Sequence, residues 1–426
     1  MAEIRPFAAL RYAPGTDLAA VTCPPYDVLS PAERAALLDR SPHATARLIL
    51  PEGEGDARYA NAAALLDALT QDGVLRTDPA PAFYVTRTEF TEPGTGTRRS
   101  RLGLIALLRL YPYEDRVVLP HEHTMRGPKE DRLKLLRATD ANVESIMLLA
   151  EDAGDGLQKA MSEAAAGEPL AAFDGDDHQS HALYAVTDPA AVAGVQELLA
   201  PHPLFIADGH HRYETSVTFA RERDALGTDR PEAFLLVTIH SLADPGLVVL
   251  PTHRLVRGTG ADRLADAEAA LARTFTLERE ASAEDLQARL DAVKADDPAR
   301  FAFGVALPTG LFFASTGDGT ALDAALPGDL PASVRRLDVT RLQHLALDAV
   351  FGIPPAETAT TDRLSYTRDL PGAVAAVQSG EADAALLLAR PSLQGLLDVS
   401  RDNGVMPQKS TFFYPKLVSG LVMRKF

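Results

Sequence analysis

Between residues 180 and 241 the chain alternates short apolar runs with amphipathic stretches, and this alternation restricts it to a sheet covered by helices. ALYAV is followed by DPAAVAGVQELL, where Asp188 is placed to cap a helix and Pro189 to open it. LFIAD then runs through Gly209 into HHRYETSVTFARER, which has helical spacing, and AFLLVTIHSL returns as a strand. Strand, helix, strand, helix, strand is an α/β core.

The flanking sequence extends this pattern. AFYVTRTEF and LGLIALLRLY enclose the polar, glycine-rich TEPGTGTRRS at 91–100 and predict a hairpin, and SIMLLA predicts a further strand. Beyond residue 257, ADRLADAEAALARTF and SAEDLQARLDAVKAD predict helices, the second with Ser282 and Asp285 as a capping box. FAFGVAL and LFFAST flank a Pro-Thr-Gly turn, DAALLLAR predicts a strand with Pro391 opening a helix after it, and KLVSGLVMRKF predicts a final strand. The expected class is mixed α/β (α+β), with a core domain over residues 1–257 and a second α/β region over 258–426. The GTGAD at that boundary also reads as an ordinary loop.

Charge narrows the function classes. In 426 residues, 42 Lys and Arg stand against 59 Asp and Glu, a net charge of −17 that argues against nonspecific nucleic-acid binding and against attraction to anionic lipid. No apolar run approaches membrane-spanning length, and MAEIRPFAALRYAP lacks the hydrophobic region of a signal peptide. The single cysteine, Cys23, has no partner for an internal disulfide. A cytoplasmic protein acting on a small molecule, with neither nucleic acid nor membrane as partner, is expected.

Four separated segments are more polar than a purely structural reading requires. CPPYDV (23–28) is a proline-stiffened turn in which Tyr26 and Asp27 either make local bonds or contact a substrate. LPHEHT (119–124) groups His121, Glu122 and His123; in an extended chain the two histidines face away from Glu122, and the spacing is not that of a helical HExxH site. Glu122 is a candidate general acid/base. In the following GPKEDR, Pro128 and the acidic pair Glu130 and Asp131 suit a helix start, and Lys129 and Arg132 are either solvated charges or phosphate ligands. MPQKSTFFYPK (406–416) is an edge strand between prolines with Lys409 in solvent, or it presents Lys409 to an anion.

ADGHHRYET (207–215) carries the most specific signal. At a strand-to-helix turn, glycine allows close backbone approach and the helix start favours an anion, so Gly209, His210, His211 and Arg212 form a candidate phosphate cradle. The plain alternative is a helix capped by Asp208. No GxxxxGK[ST] loop or dinucleotide fingerprint occurs elsewhere.

DGHHR resembles the phosphate-binding box of the ParB/sulfiredoxin superfamily, and most closely that of its free serine kinases. His210 stands where sulfiredoxin has its catalytic cysteine, so sulfiredoxin chemistry is not implied. Along nearly its whole length the chain also resembles the DUF1015 family, through PPYDV, HE-x-T with GPKEDR, ADGHHRYE, LPTHR (Pro251 to Arg254) and the MP-x-KST-x-F-x-PK segment. The first resemblance implies a ParB/sulfiredoxin-like nucleotide-binding core and a phosphotransferase using ATP or ADP with Mg²⁺ on free L-serine or a similar hydroxy compound. It assigns catalysis to Asp208, which binds Mg²⁺ or orients the hydroxyl, and by analogy of role to Glu122 as base. Gly209, His210, His211, Arg212, Lys129, Arg132 and Lys409 hold phosphate, and Tyr26 and Asp27 contact the substrate. On this reading Asp208→Asn or Arg212→Ala abolishes turnover with the fold intact. A divalent-metal hydrolase using Asp208, His210, His211, His121, His123 and Glu122, or a noncatalytic nucleotide binder, are the alternatives.

Overall fold

The computed structural model describes every residue except 176–177, 317–321, 323 and 408. The chain is a mixed α/β protein that divides into two compact units. The first comprises residues 1–120, 124–248 and 415–426; the second comprises 121–123 and 249–414.

The first unit is built on a nine-stranded mixed sheet of β1 (Ile4–Arg5), β2 (Phe83–Thr91), β3 (Arg98–Arg109), β4 (Val118–Leu119), β5 (Ile146–Ala150), β6 (Ala171–Asp174), β7 (Ser180–Val186), β8 (Leu204–Asp208) and β9 (Phe234–Ser241). Its order is β4-β8-β5-β9-β3-β2-β7-β6, with β1 on β3. Only β4 with β8 and β5 with β9 pair in parallel among these strands. The hairpin expected around 91–100 is the β2–β3 pair.

Five helices of this unit matter here: α1 (Pro31–Arg40), α2 (Ala57–Gln71), α3 (Arg126–Thr139), α4 (Pro189–Leu199) and α5 (His210–Glu222). Asp188 caps α4 as expected, its Oδ2 accepting the Ala191 N–H at 2.8 Å. On α5, Tyr213, Val217 and Ala220 enter the core that also takes in Ile146, Leu204 and Ile206. Their spacing of four and three residues puts them on one helical face. The tail Pro415–Phe426 lies within the same unit: Leu421 and Val422 join this core, and Arg424–Lys425 pair with Ala141–Asn142.

The second unit holds an antiparallel six-stranded sheet of β10 (His253–Val256), β11 (Thr276–Arg279), β12 (Ala302–Leu307), β13 (Gly310–Ser315), β14 (Leu364–Thr367) and β15 (Ala384–Leu388), in the order β11-β13-β12-β15-β10-β14. Helices α6 (Ala261–Ala272), α7 (Ala283–Asp296), α8 (Leu370–Gln378) and α9 (Leu393–Arg401) belong to it, and Leu286, Leu290, Leu370 and Val374 form a core with Leu255, Ala385 and Leu387.

Four local expectations are corrected. Ser282 does cap α7, but Asp285 bonds the Ser282 hydroxyl at 2.7 Å, not its backbone N–H, so the box is not reciprocal. α9 starts after its cap Ser392, leaving Pro391 one residue outside it. α3 begins at Arg126, so Glu130 and Asp131 fall beyond its first turn. Most of KLVSGLVMRKF is irregular, and only Arg424–Lys425 is strand.

Ile206 is fully buried in β8, the strand that delivers Asp208. Ile206→Ala is expected to cost about 2–5 kcal/mol, transfer and cavity together, read as a lower urea midpoint.

Candidate functional site

The site grows from an irregularity in β8. Its register against β5 shifts between Ile206 and Asp208, a bulge of the kind that re-aims a strand end. Gly209 then turns the chain with φ of 102°. A Cβ at this position would lie 2.7 Å from Ile146 Cγ2, so both conformation and space require glycine. α5 starts immediately, with no side-chain cap on its N-terminus. Its first-turn N–H groups have no intrahelical acceptors, and the dipole adds about half a positive charge.

Asp208 anchors a buried charge network. Its Oδ1 meets Lys416 Nζ at 2.5 Å and its Oδ2 meets Arg212 Nη2 at 3.1 Å. Burial alone raises its pKa, but Lys416 and Arg212 outweigh that and hold the carboxyl down at about 2. Arg212 Nη1 donates to the Ser145 carbonyl at 2.8 Å and lies 4.0 Å from Glu144 Oε1. Glu144, also buried, accepts the Tyr26 N–H at 3.1 Å and the Ser419 hydroxyl at 3.3 Å.

Arg132 completes the network. It is buried, with Nη1 on the Ile49 carbonyl at 2.7 Å, Nε and Nη2 on Asp131, and Nη1 3.8 Å from Glu144 Oε2. The solvated-charge reading of Arg132 is therefore wrong. Its guanidinium lies 4.1 Å from the Tyr26 ring centroid, with Arg212 at 5.9 Å from the same ring. Tyr26 sits in a Pro25–Val28 turn, and exposed Asp27 acts electrostatically on His211 and Arg212. A cleft of about 540 Å³ beside Arg132 is lined by Arg34, Glu52, Arg58 and Asp131, among others. Cys23 is buried, which pushes its thiol pKa well up and makes it a packing residue.

The start of α5 is tied to the start of α3. His211 Nε2 accepts the Met125 N–H at 2.9 Å, so its proton sits on Nδ1; burial lowers its pKa and keeps the ring neutral. His211 thus supplies one donor, not two. Glu214 Oε2 accepts from the Thr124 hydroxyl at 2.6 Å and from Lys129 Nζ at 3.0 Å, so Lys129 is paired and only partly exposed. His210 is buried at the helix start.

Tyr26, Asp27, Lys129, Arg132 and Asp208 through Arg212 accordingly assemble in the first unit. His121, Glu122 and Lys409 belong to the second. There the His121 carbonyl accepts the Met406 N–H at 2.8 Å, and His121 Nε2 lies 3.5 Å from Thr411 Oγ1. His121 is buried, Glu122 half-buried and His123 exposed, so the two histidines are not equivalent as a simple alternation implies. Lys409 is exposed with φ of 56°, and its neighbour Gln408 lies outside the described residues. Sequence reasoning missed Lys416, Glu144, Ser145 and Glu214. Lys416 ends a motif already noted for polarity, whereas Glu144 and Ser145 carry no local signal.

Among the described residues no group of three or more His, Cys, Asp and Glu side chains is placed to hold a metal. Asp208 does not fit the Mg²⁺ role: each of its oxygens already faces a cation, and a third positive charge would be repelled by both.

Fold and site define a mixed α/β protein with a glycine-opened strand-to-helix turn backed by buried ion pairs. The chain belongs to the family described as Protein of unknown function (DUF1015), whose model matches residues 4–340. Among curated proteins nothing matches. Similar solved structures include a mutant free serine kinase in complex with AMP, at 12% identity and TM-score 0.37, covering 72% of this chain and 87% of that one. Another mutant free serine kinase, in complex with ADP, matches at 11% identity and TM-score 0.37 with the same coverage. A conserved hypothetical protein from Pyrococcus furiosus matches at 14% identity and TM-score 0.35, covering 74% and 92%. Likenesses at this level carry no argument about function.

Because the folded-state pKa of Asp208 is depressed, its stabilisation is fully present above about pH 4, the unfolded carboxyl value, and is lost as pH falls toward 2. Asp208→Asn, which removes the carboxylate that Lys416 and Arg212 share, is expected to cost about 3–5 kcal/mol at pH 6. The gap to wild type should narrow as urea unfolding is repeated down to pH 2.5.

Proposed function

We propose that this protein is a small-molecule phosphotransferase that takes a nucleotide as phosphoryl donor and a small hydroxy compound, free L-serine foremost, as acceptor. The observation that carries the reading is the Gly209 turn, where a Cβ would fill the space and α5 opens without a side-chain cap. Phosphoryl transfer depends mainly on positioning and charge neutralisation, and backbone N–H groups at a helix start supply both. The DGHHR resemblance supports the same assignment.

In this reading the backbone of Gly209, His210 and His211 and the Nδ1–H of His211 hold the donor phosphates. Asp208 and Arg212 are positioning residues: they fix the end of β8 to the first turn of α5 and to Lys416. Lys129 and Arg132 act through the partners they already hold, and Tyr26 stands beside the Arg132 and Arg212 guanidiniums. Glu122 belongs to the second unit and is not part of this reading of the turn.

Asp208→Asn and Arg212→Ala no longer isolate catalysis, since each removes a member of the buried ion network that fixes the turn. The test is incubation of the full chain with Mg²⁺, ATP or ADP, and L-serine within a panel of hydroxy compounds, followed by ³¹P NMR. A phosphomonoester is expected, formed about 100-fold more slowly by Gly209→Ala because the first turn is displaced. No product from either nucleotide ends the kinase reading. Nucleotide binding without transfer would instead favour a noncatalytic binder, a reading favoured by one observation: Asp208, Glu144, Glu214 and Asp131 all have cationic partners.

A further inference from the structure

The LPTHR motif plays no part in the proposed transfer, yet it places a charge where charges are normally paired. Arg254, on β10 of the second unit, is only 4% exposed. Its Nη1 donates to the Thr252 carbonyl and its guanidinium lies 5.6 Å from the Tyr366 ring centroid, but it has no ion pair among the described residues. Other buried arginines are better provided for. Arg132 and Arg212 each face carboxylates, and Arg424 donates to two carbonyls, those of Phe234 and Pro231. A guanidinium has five N–H donors, and taking one out of water without a counter-charge is costly.

The register adds a second cation. Arg254 lies opposite Tyr366 on β14, so their side chains share one face of the sheet. Arg368 is one residue past the end of β14 and has the same parity as Tyr366, which makes it the diagonal neighbour of Arg254. Its guanidinium stacks 3.9 Å from the Phe412 ring centroid, and it too has no carboxylate partner among the described residues. β14 is an edge strand, so this corner of the sheet is open on one side. Burial lowers the pKa of Arg254, offset only in part by the Tyr366 phenol, and desolvation alone lowers that of Arg368.

We infer that Arg254, Arg368 and the Tyr366 hydroxyl form a binding site for the oxyanion group, carboxylate or phosphate, of a small organic anion. Arg254 supplies the inner donors and Arg368 the outer ones at the exposed mouth. The aromatic rings of Tyr366 and Phe412 hold both guanidinium planes in place, which preorganises them for a planar or tetrahedral oxyanion. This site is independent of the Gly209 turn.

Isothermal titration of the full chain with inorganic phosphate and with malonate, at constant ionic strength in chloride, tests the inference. Saturable binding of at least one is expected, and whichever binds identifies the oxyanion. Arg254→Met and Arg368→Gln should each weaken it at least tenfold, whereas Gly209→Ala should leave that component intact. Arg368 is exposed, so its replacement reads binding without endangering the fold. Arg254→Met should melt no lower than wild type without ligand, because an unpaired buried charge is removed. Absence of saturable binding, or binding unchanged in Arg368→Gln and Arg254→Met, overturns the site. A large loss of melting temperature in Arg254→Met with Arg368→Gln binding like wild type would make Arg254 structural and overturn it equally.

Discussion

The buried contact of Asp208 with Lys416 and Arg212 is the constraint on which the candidate site depends. It fixes the bulged end of β8 to the first turn of α5 and ties both to the returning tail, 208 residues away along the chain. Burying three ionised groups costs several kcal/mol per ion unless each finds partners. Here the Ser145 carbonyl and Glu144 add to the partners of Arg212, whose buried Nε has no hydrogen-bond acceptor among the described residues, and Glu144 in turn takes the Tyr26 N–H and the Ser419 hydroxyl. The network is closed in the sense that matters energetically, because each of its carboxylates has a cation and each cation a carboxylate.

That closure shapes what the turn can do. With Asp208, Glu144 and Glu214 committed to cations, the fixed charges near α5 largely cancel, and attraction for an anion comes from oriented backbone N–H groups and the helix dipole. A protein with net charge −17 can hold an anionic ligand in this way without a basic surface. In the proposed reading selectivity follows from geometry, and the geometry of the turn from Gly209, whose φ of 102° and contact with Ile146 admit no side chain. The corner at Arg254 follows the opposite logic. There the cations have no carboxylate partner among the described residues, and in the inferred site a bound anion supplies the compensation.

Much of the architecture was legible because it is periodic. The alternation from ALYAV to AFLLVTIHSL maps onto β7, α4, β8, α5 and β9, and the hairpins at 91–100 and around Pro308 and Thr309 were marked by their turn residues. The side-chain partners were not legible. Arg132 sits in GPKEDR among charges that look solvated, and only packing against Tyr26 and Ile49 shows that it is buried. Lys416 lies 208 residues from Asp208, and no pattern within its own segment points to that carboxylate.

By itself, then, the sequence determined the class of fold, the strand-to-helix turn at Gly209 and the residues worth testing, because hydrophobic period, helix caps and glycine conformation act within a few residues of chain. Tertiary structure decided which charges pair and which stay unpaired. It placed His121, Glu122 and Lys409 in the second unit and Asp208 through Arg212 in the first. It also turned Asp208 from a presumed metal ligand into the anchor of a buried ion network. The reason is physical: the energy of a charge depends on desolvation and on the distance to its partners, and both are set by residues far away along the chain.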